Sequence, residues 1–286
     1  MTASRPDAFR PTRHGADSNS AMSLPDDRPP ARAKARGLRD FYEDPAVPVA
    51  SGDERSLRQA RVLAKALGPV RAGRPAATVL DVGCGDGSAA AVAARVLAGH
   101  RIVGVDWSHD ALRRAAPRLS YVVRGEFTGG DAAGSAGSEL PTPGLPFGSA
   151  CADAVLFSEV IEHLVDPDSA LEELRRVLRP GGHLMLSTPN LAAWYNRGLL
   201  LAGVQPVFSE VSLRAIHGRP GREVVGHLRL YTARALREFV AASGFEVVGI
   251  TGAPFHGVPR PLRALDRAAC RRPSLSSILL LHARRV

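Results

Sequence analysis

The chain has 286 residues, 45% apolar and 23% charged, enough for one large domain with a sizeable core. No apolar run approaches the ~20 residues that span a bilayer, and the arginine-bearing N-terminus lacks the apolar stretch of a secretory signal. Three scattered cysteines suit neither a disulfide framework nor a thiolate metal cage, so a cytoplasmic setting is expected. The net charge of +9 is almost wholly arginine, since only Lys34 and Lys65 are lysines. Residues 255–286 hold seven arginines against Asp266, a surplus that suits an anionic substrate, a membrane surface or RNA. With no interleaved aromatics there apart from Phe255, a solvated basic face is favoured over a nucleic-acid site.

Residues 1–37, rich in Pro, Arg, Asp and Ser, read as a disordered tail, leaving 38–286 as the folded domain. Ser51 or Asp53 can cap a first helix with apolar positions Leu57, Val62, Leu63, Ala66 and Leu67, ending at Gly68-Pro69. Residues 77–82 then predict a strand that stops at glycines, and 88–97 an alanine-rich helix. A second strand follows at 101–106, a helix at 110–119 and a third strand at 121–123. The Gly/Ser/Pro-rich 128–149 reads as a surface loop. A fourth strand lies at 154–157. Asp166-Pro167 caps a helix with apolar positions Leu171, Leu174, Val177 and Leu178, which Gly181 should stop. A fifth strand is expected at 183–187, a helix near 232–242 and strands at 245–251 and 277–282. No helical pattern separates that last pair, which allows the final strand to run antiparallel. The alternation predicts a doubly wound, mostly parallel α/β sheet of seven strands, with an insert at 190–230 after the fifth.

The strongest local signal is Val79–Gly87, a strand running into Gly83, Gly85 and Gly87 and then a helix. Glycines let the backbone turn tightly and approach a ligand. Asp81 precedes them, and Asp106 ends the next strand, where a carboxylate can accept ribose hydroxyl protons. Ser88 stands where a dinucleotide fingerprint needs its third glycine. Asp81 and Asp86 would also repel a pyrophosphate unless screened or turned away, which disfavours a nicotinamide-dependent oxidoreductase. A ligand bearing an ammonium and a sulfonium would meet no such repulsion.

These residues resemble the first motif of the class I S-adenosylmethionine-dependent methyltransferases. Residues 104–108 resemble the second, and 178–184 the entry to the fifth strand of their Rossmann-like fold. The resemblance implies that Gly83, Gly85 and Gly87, with Asp81, approach the methionine moiety. By the same likeness Asp106 binds the ribose, Trp107 lies beside the adenine and Ser158 borders the cofactor. Glu126 and Asp131 compete for the adenine amino group.

After the fourth strand comes Ser158-Glu159-Val160-Ile161-Glu162-His163. If helical, Glu159, Glu162 and His163 share one face and suit a divalent cation. With Ser187–Asn190 and His227–Thr232, this stretch resembles the ubiquinone-biosynthesis O-methyltransferases and the small-RNA 2′-O-methyltransferases. That likeness implies a metal, such as Mg, held by Glu159, Glu162, His163 and His227; the rival is a metal-free site with His163, beside Glu162, as general base. His183 and His217 read as structural or surface residues, and Cys84 as a small packing residue. The apolar insert reads as lid or core packing, while His217, Arg219 and Arg222 suit an anionic acceptor. The expected activity is methyl transfer to a hydroxyl of a small-molecule or lipid-like acceptor. An RNA 2′-hydroxyl is the second choice, and a non-catalytic cofactor-binding protein a third.

Overall fold

The glycine-terminated run expected at 77–82 forms a strand in the middle of a seven-stranded sheet, around which the other elements are wound. The structure, a computed structural model, describes residues 53–71, 75–127, 144–221 and 224–286. The expected tail, Asp131, Arg222 and most of the 128–149 loop lie outside these residues. The first half contains α1 (Asp53–Leu67), β1 (Thr78–Val82), α2 (Ser88–Val96), β2 (Arg101–Asp106), α3 (His109–Ala115) and β3 (Tyr121–Arg124). The second contains β4 (Ala152–Ser158), α4 (Pro167–Val177), β5 (Leu178–Pro189), α5 (Trp194–Leu201), α6 (Ala233–Ala242), β6 (Phe245–Ala253), α7 (Arg263–Ala269) and β7 (Ile278–Arg285).

The strand order is β3-β2-β1-β4-β5-β7-β6. Strands β1 to β5 are parallel, and β7 runs antiparallel to both β5 and β6, as the missing crossover helix allowed. Order reverses between β1 and β4, so the crevice for a ligand opens at their C-terminal ends.

Side chains alternate across each strand, and this divides the core into two layers. Leu80, Val155, Leu184 and Leu186 pack with Leu171, Leu174 and Leu236 of α4 and α6. Val79, Ala154, Leu156 and Met185 pack on the opposite face with Leu63 of α1 and Ala90 of α2. Asp166 caps α4 as its sequence predicts, its Oδ1 accepting from Ser169 N at 3.1 Å with Pro167 behind it. Thr232 does the same for α6.

Three expectations need correction. Gly181 does not stop α4, which ends at Val177; it sits at φ 73° in a bulge of β5, where Ala152 pairs with Leu178 but Ala154 with His183. Residues 253–274 do carry a helix, α7, which buries only Asp266 and so shows no apolar period. Finally, 159–163 is not an α-helix. Glu159 takes a left-handed φ of 56°, and a single 3-10 turn follows at Ile161–His163.

Candidate functional site

Strand β1 ends in a hairpin held by the neighbouring strand. Gly83 N and Cys84 N both donate to Val105 O, at 2.8 and 3.0 Å. Gly83 has a φ of 78°, and a Cβ there would lie 2.4 Å from Val160 Cγ2, so only glycine fits. Asp106 closes the far side, its Oδ2 accepting from Gly85 N and its Oδ1 from Ser108 N, both at 2.9 Å. Trp107 and Glu126 flank it, half-buried.

The acids of the hairpin separate into two kinds. Asp86 turns back to hydrogen-bond Ser88 and pairs with Arg118 at 3.0 Å. Burial raises its pKa, but Ser88 and then Arg118 outweigh that and hold it below the ordinary value. It is therefore screened, and the case against a pyrophosphate rests on Asp81 and Asp106 alone. Asp81 is buried with Oδ2 unpartnered, and burial pushes its carboxyl up to about 7, the Arg55 charge opposing and Asp106 adding. Cys84 is buried, and its thiol is pushed far up by burial and then by Asp81, in keeping with a packing role.

Sequence reasoning missed the polar end of α1. Arg55, Ser56 and Gln59 are all buried against the crevice. Counting back in fours from Leu67 through Leu63 would have found Gln59 and Arg55 on the buried face. Asp81 lies two residues beyond Val79 and so faces α1, as does Ser158 two beyond Leu156; Ser158 Oγ donates to Gln59 Oε1 at 3.1 Å. Gln59 Nε2 and Ser56 Oγ are buried donors with no partner. Two unpartnered donors and one unpartnered carboxylate oxygen match the carboxylate and ammonium of an amino-acid group.

The same alternation divides the two glutamates. Ser187 and Thr188 are consecutive on β5 and point to opposite faces. Ser187 Oγ donates to Glu159 Oε1 at 2.8 Å, and Arg55 Nη1 lies 3.2 Å from the same oxygen. Thr188 Oγ1 donates to Glu162 Oε2 at 3.0 Å. Glu159 thus belongs to the α1 side of the sheet, and the expected shared face with Glu162 and His163 does not exist. Instead Glu162, His163 and His227 converge, with one ligand atom from each inside 4.8 Å.

The cluster is tightly specified. His163 Nε2 lies 3.9 Å and His227 Nε2 4.0 Å from Glu162 Oε1. Glu162 is fully buried and its Oε1 has no hydrogen-bond partner. Burial, reinforced by Glu159, pushes its carboxyl well up. His163 Nδ1 is 3.1 Å from Gly226 O, and His227 Nδ1 is 3.1 Å from Phe208 O. A carbonyl only accepts, so each ring carries its proton on Nδ1, which leaves the lone pair on Nε2. Burial lowers the two imidazoles to about 4 and about 3, so both are neutral at pH 7. A buried carboxylate oxygen without a donor, facing two imidazole lone pairs, is a donor set that a divalent cation fits.

The segment carrying His227 is strapped to the 3-10 turn. Leu228 N donates to Glu162 O at 2.8 Å, and Arg229 reaches Leu164 O and Val165 O. A cleft lined by Val211, Ser212, Leu213 and Leu228 opens on His227. Arg219 does not face an acceptor as expected: it pairs with Glu210 at 2.9 Å, the side chains being 4% and 2% exposed. His217 is exposed, and His183 pairs with His282. Leu201 of the insert is 91% exposed, so it is not core packing. Among the described residues, no helix is long and apolar enough to cross a membrane.

Comparison with known proteins gives a consistent result. A family model described as a methyltransferase domain matches residues 53–250. A protein of Mycolicibacterium smegmatis, named as a probable S-adenosylmethionine-dependent methyltransferase, is 30% identical over 239 residues, 82% of this chain and 74% of that one. A ubiquinone biosynthesis O-methyltransferase of Alkalilimnicola ehrlichii is 35% identical over 113 residues, 39% of this chain and 41% of that one. The chain spans from 31% to 74% of the length of such curated relatives. A SAM-dependent methyltransferase of Methanosarcina mazei shares the fold, with a TM-score of 0.52 at 16% identity over 79% of this chain and 97% of that one.

Proposed function

The chain belongs to the S-adenosylmethionine-dependent methyltransferases, and from that premise we propose that it methylates a hydroxyl of a small-molecule or lipid-like acceptor, with the oxygen handled at Glu162, His163 and His227. The observation that carries this reading is the convergence of two neutral imidazole Nε2 atoms on the unpartnered Glu162 Oε1.

On the α1 side of the sheet, Asp81 would accept the cofactor's ammonium, while Gln59 and Ser56 would donate to its carboxylate. Asp106 would take the ribose hydroxyls and Trp107 border the adenine. Gly83 and Gly85 leave the backbone bare for close approach. Beside it, at the same C-terminal end of the sheet, the 162–163 turn and His227 would hold the acceptor oxygen.

Transfer breaks the carbon–sulfur bond as the oxygen–carbon bond forms, leaving a neutral thioether, so the acceptor must shed its proton, which passes to solvent through the cleft at His227. His163, with a pKa of about 4, is a poor base for a hydroxyl proton. When bound, a divalent cation supplies the Lewis acidity that makes that proton easier to lose. The residues themselves would orient the oxygen toward the sulfonium methyl, so that nucleophile and methyl line up. Exposed apolar side chains beside the cleft, Val211, Leu213 and Leu228, suit an acceptor with an apolar portion. The likeness to a ubiquinone biosynthesis O-methyltransferase supports transfer to oxygen.

The test is methyl transfer to a panel of phenol, sugar, amine and carbon acceptors, before and after chelation and in Glu162→Gln and His227→Ala. The expected result is turnover of a hydroxyl acceptor that chelation and both variants suppress. Full turnover in all three would overturn the metal assignment, and transfer confined to amine or carbon acceptors would overturn the O-direction.

A further inference from the structure

Glu210, in the insert after β5, is a buried acid that the chemistry above does not use. Its carboxylate accepts four hydrogen bonds. Oε1 takes Arg219 Nη2 at 2.9 Å and Val225 N at 2.7 Å. Oε2 takes Gly226 N at 2.8 Å and His227 N at 3.2 Å. A carboxylate buried this deeply needs a compensating charge. Here the guanidinium balances the charge, and the backbone donors are drawn to one point.

The peptides so gripped are those that set the imidazoles. Gly226 is held by its N–H on Glu210, and its carbonyl oxygen is the acceptor for His163 Nδ1. Its φ of 80° lets that carbonyl face the turn at 161–163. His227 is held by its own N–H, while Phe208 O, two residues before Glu210, accepts from its Nδ1. Both tautomer-setting carbonyls therefore hang on the loop that Glu210 ties together.

We propose that Glu210 is the positioning residue of the cluster: through the 225–227 peptides it imposes the Nδ1–H tautomer on His163 and His227, so that both Nε2 atoms face Glu162. This rests on the reading that the cluster handles the acceptor oxygen. Groups one shell out from metal ligands typically change affinity by roughly 10–100-fold when removed.

The experiment compares the full chain with Glu210→Gln and Arg219→Lys, which keep side-chain volume or charge, and with Glu210→Ala. Nitrogen-15 NMR of the imidazoles reads the tautomers without metal, and Co2+ titration followed by its visible spectrum reads the assembled site. Wild type should show Nδ1–H signals at both histidines and bind Co2+. Glu210→Gln should show mixed tautomers and about 10–100-fold weaker Co2+ binding, with adenosylhomocysteine affinity held, since Asp81 and α1 lie across the sheet. Arg219→Lys should fall between the two. Wild-type tautomers and Co2+ affinity in a folded Glu210→Gln would overturn the proposal, whatever the fate of Glu210→Ala. Should wild type itself bind no Co2+, the metal reading fails, while the imidazole spectra still decide the role of Glu210.

Discussion

Two regions at the same end of the sheet achieve their geometry by opposite means. The hairpin at 81–87 is built within one short stretch, from glycine dihedrals and hydrogen bonds to the adjacent strand. The cluster of Glu162, His163 and His227 joins residues more than sixty positions apart, and depends on a strap whose own carboxylate, Glu210, ties the loop together. Each region keeps one buried carboxylate oxygen without a donor, on Asp81 and on Glu162. The hairpin keeps it by backbone shape and by burial against α1. The cluster keeps it by side-chain contacts from three segments, and is the more fragile of the two.

That contrast can be broken most severely at Glu162. Glu162→Ala should abolish Co2+ binding and lower methyl transfer on the order of 10²-fold or more, while adenosylhomocysteine affinity measured by calorimetry stays at the wild-type value. Loss of both ligands together would show that the two regions are not independent. The converse variant is Gly83→Ala, whose Cβ meets Val160 at a left-handed φ. Strain of about 1–3 kcal/mol predicts roughly 10–100-fold weaker adenosylhomocysteine binding, and because Val160 opens the 161–163 turn, the Co2+ titration reads how far that strain reaches the cluster.

A smaller effect follows from Asp81. Its carboxyl, pushed up to about 7, holds a proton below that pH in the empty protein. Binding an ammonium must then expel the proton, so adenosylhomocysteine affinity should rise with pH by up to about tenfold per unit below pH 7 and level off above it. Asp81→Asn should flatten that slope. The same shift has the opposite sign for folding: a raised carboxyl pKa stabilises below its unfolded value, and that contribution is lost as pH climbs through about 7. Asp81→Asn should therefore melt higher than wild type at pH 8, though it binds cofactor less well. A lower melting temperature would mean that the carboxylate is compensated. Smallest of all, Arg118→Ala removes a partly exposed partner of Asp86 and should cost only about 0.2–1 kcal/mol in chemical denaturation.

The contrast also explains what could be read in advance. Hairpin, strand–helix alternation and caps are local: glycines at 83, 85 and 87, an acid ending β2, Asp166-Pro167 opening α4. Gln59 and Arg55 were within reach, since they continue the buried face of α1, but a search for apolar residues passes over polar ones. Residues 159–163 were misread because a carboxylate three residues and a histidine four residues after Glu159 suggest a helix. Nothing in their identities announces that Glu159 adopts a left-handed φ. Arg219 looked like an acceptor contact because its partner, nine residues earlier, is sequentially unremarkable.

By itself the amino-acid order determined the winding of the sheet and the glycine turn after β1, because strand alternation, helix periodicity and glycine dihedrals act over a few residues. Folding alone decided which acid stands beside which histidine. Ser187 and Thr188, neighbours on one strand, must point to opposite faces, and they draw Glu159 and Glu162 to separate sides of the sheet.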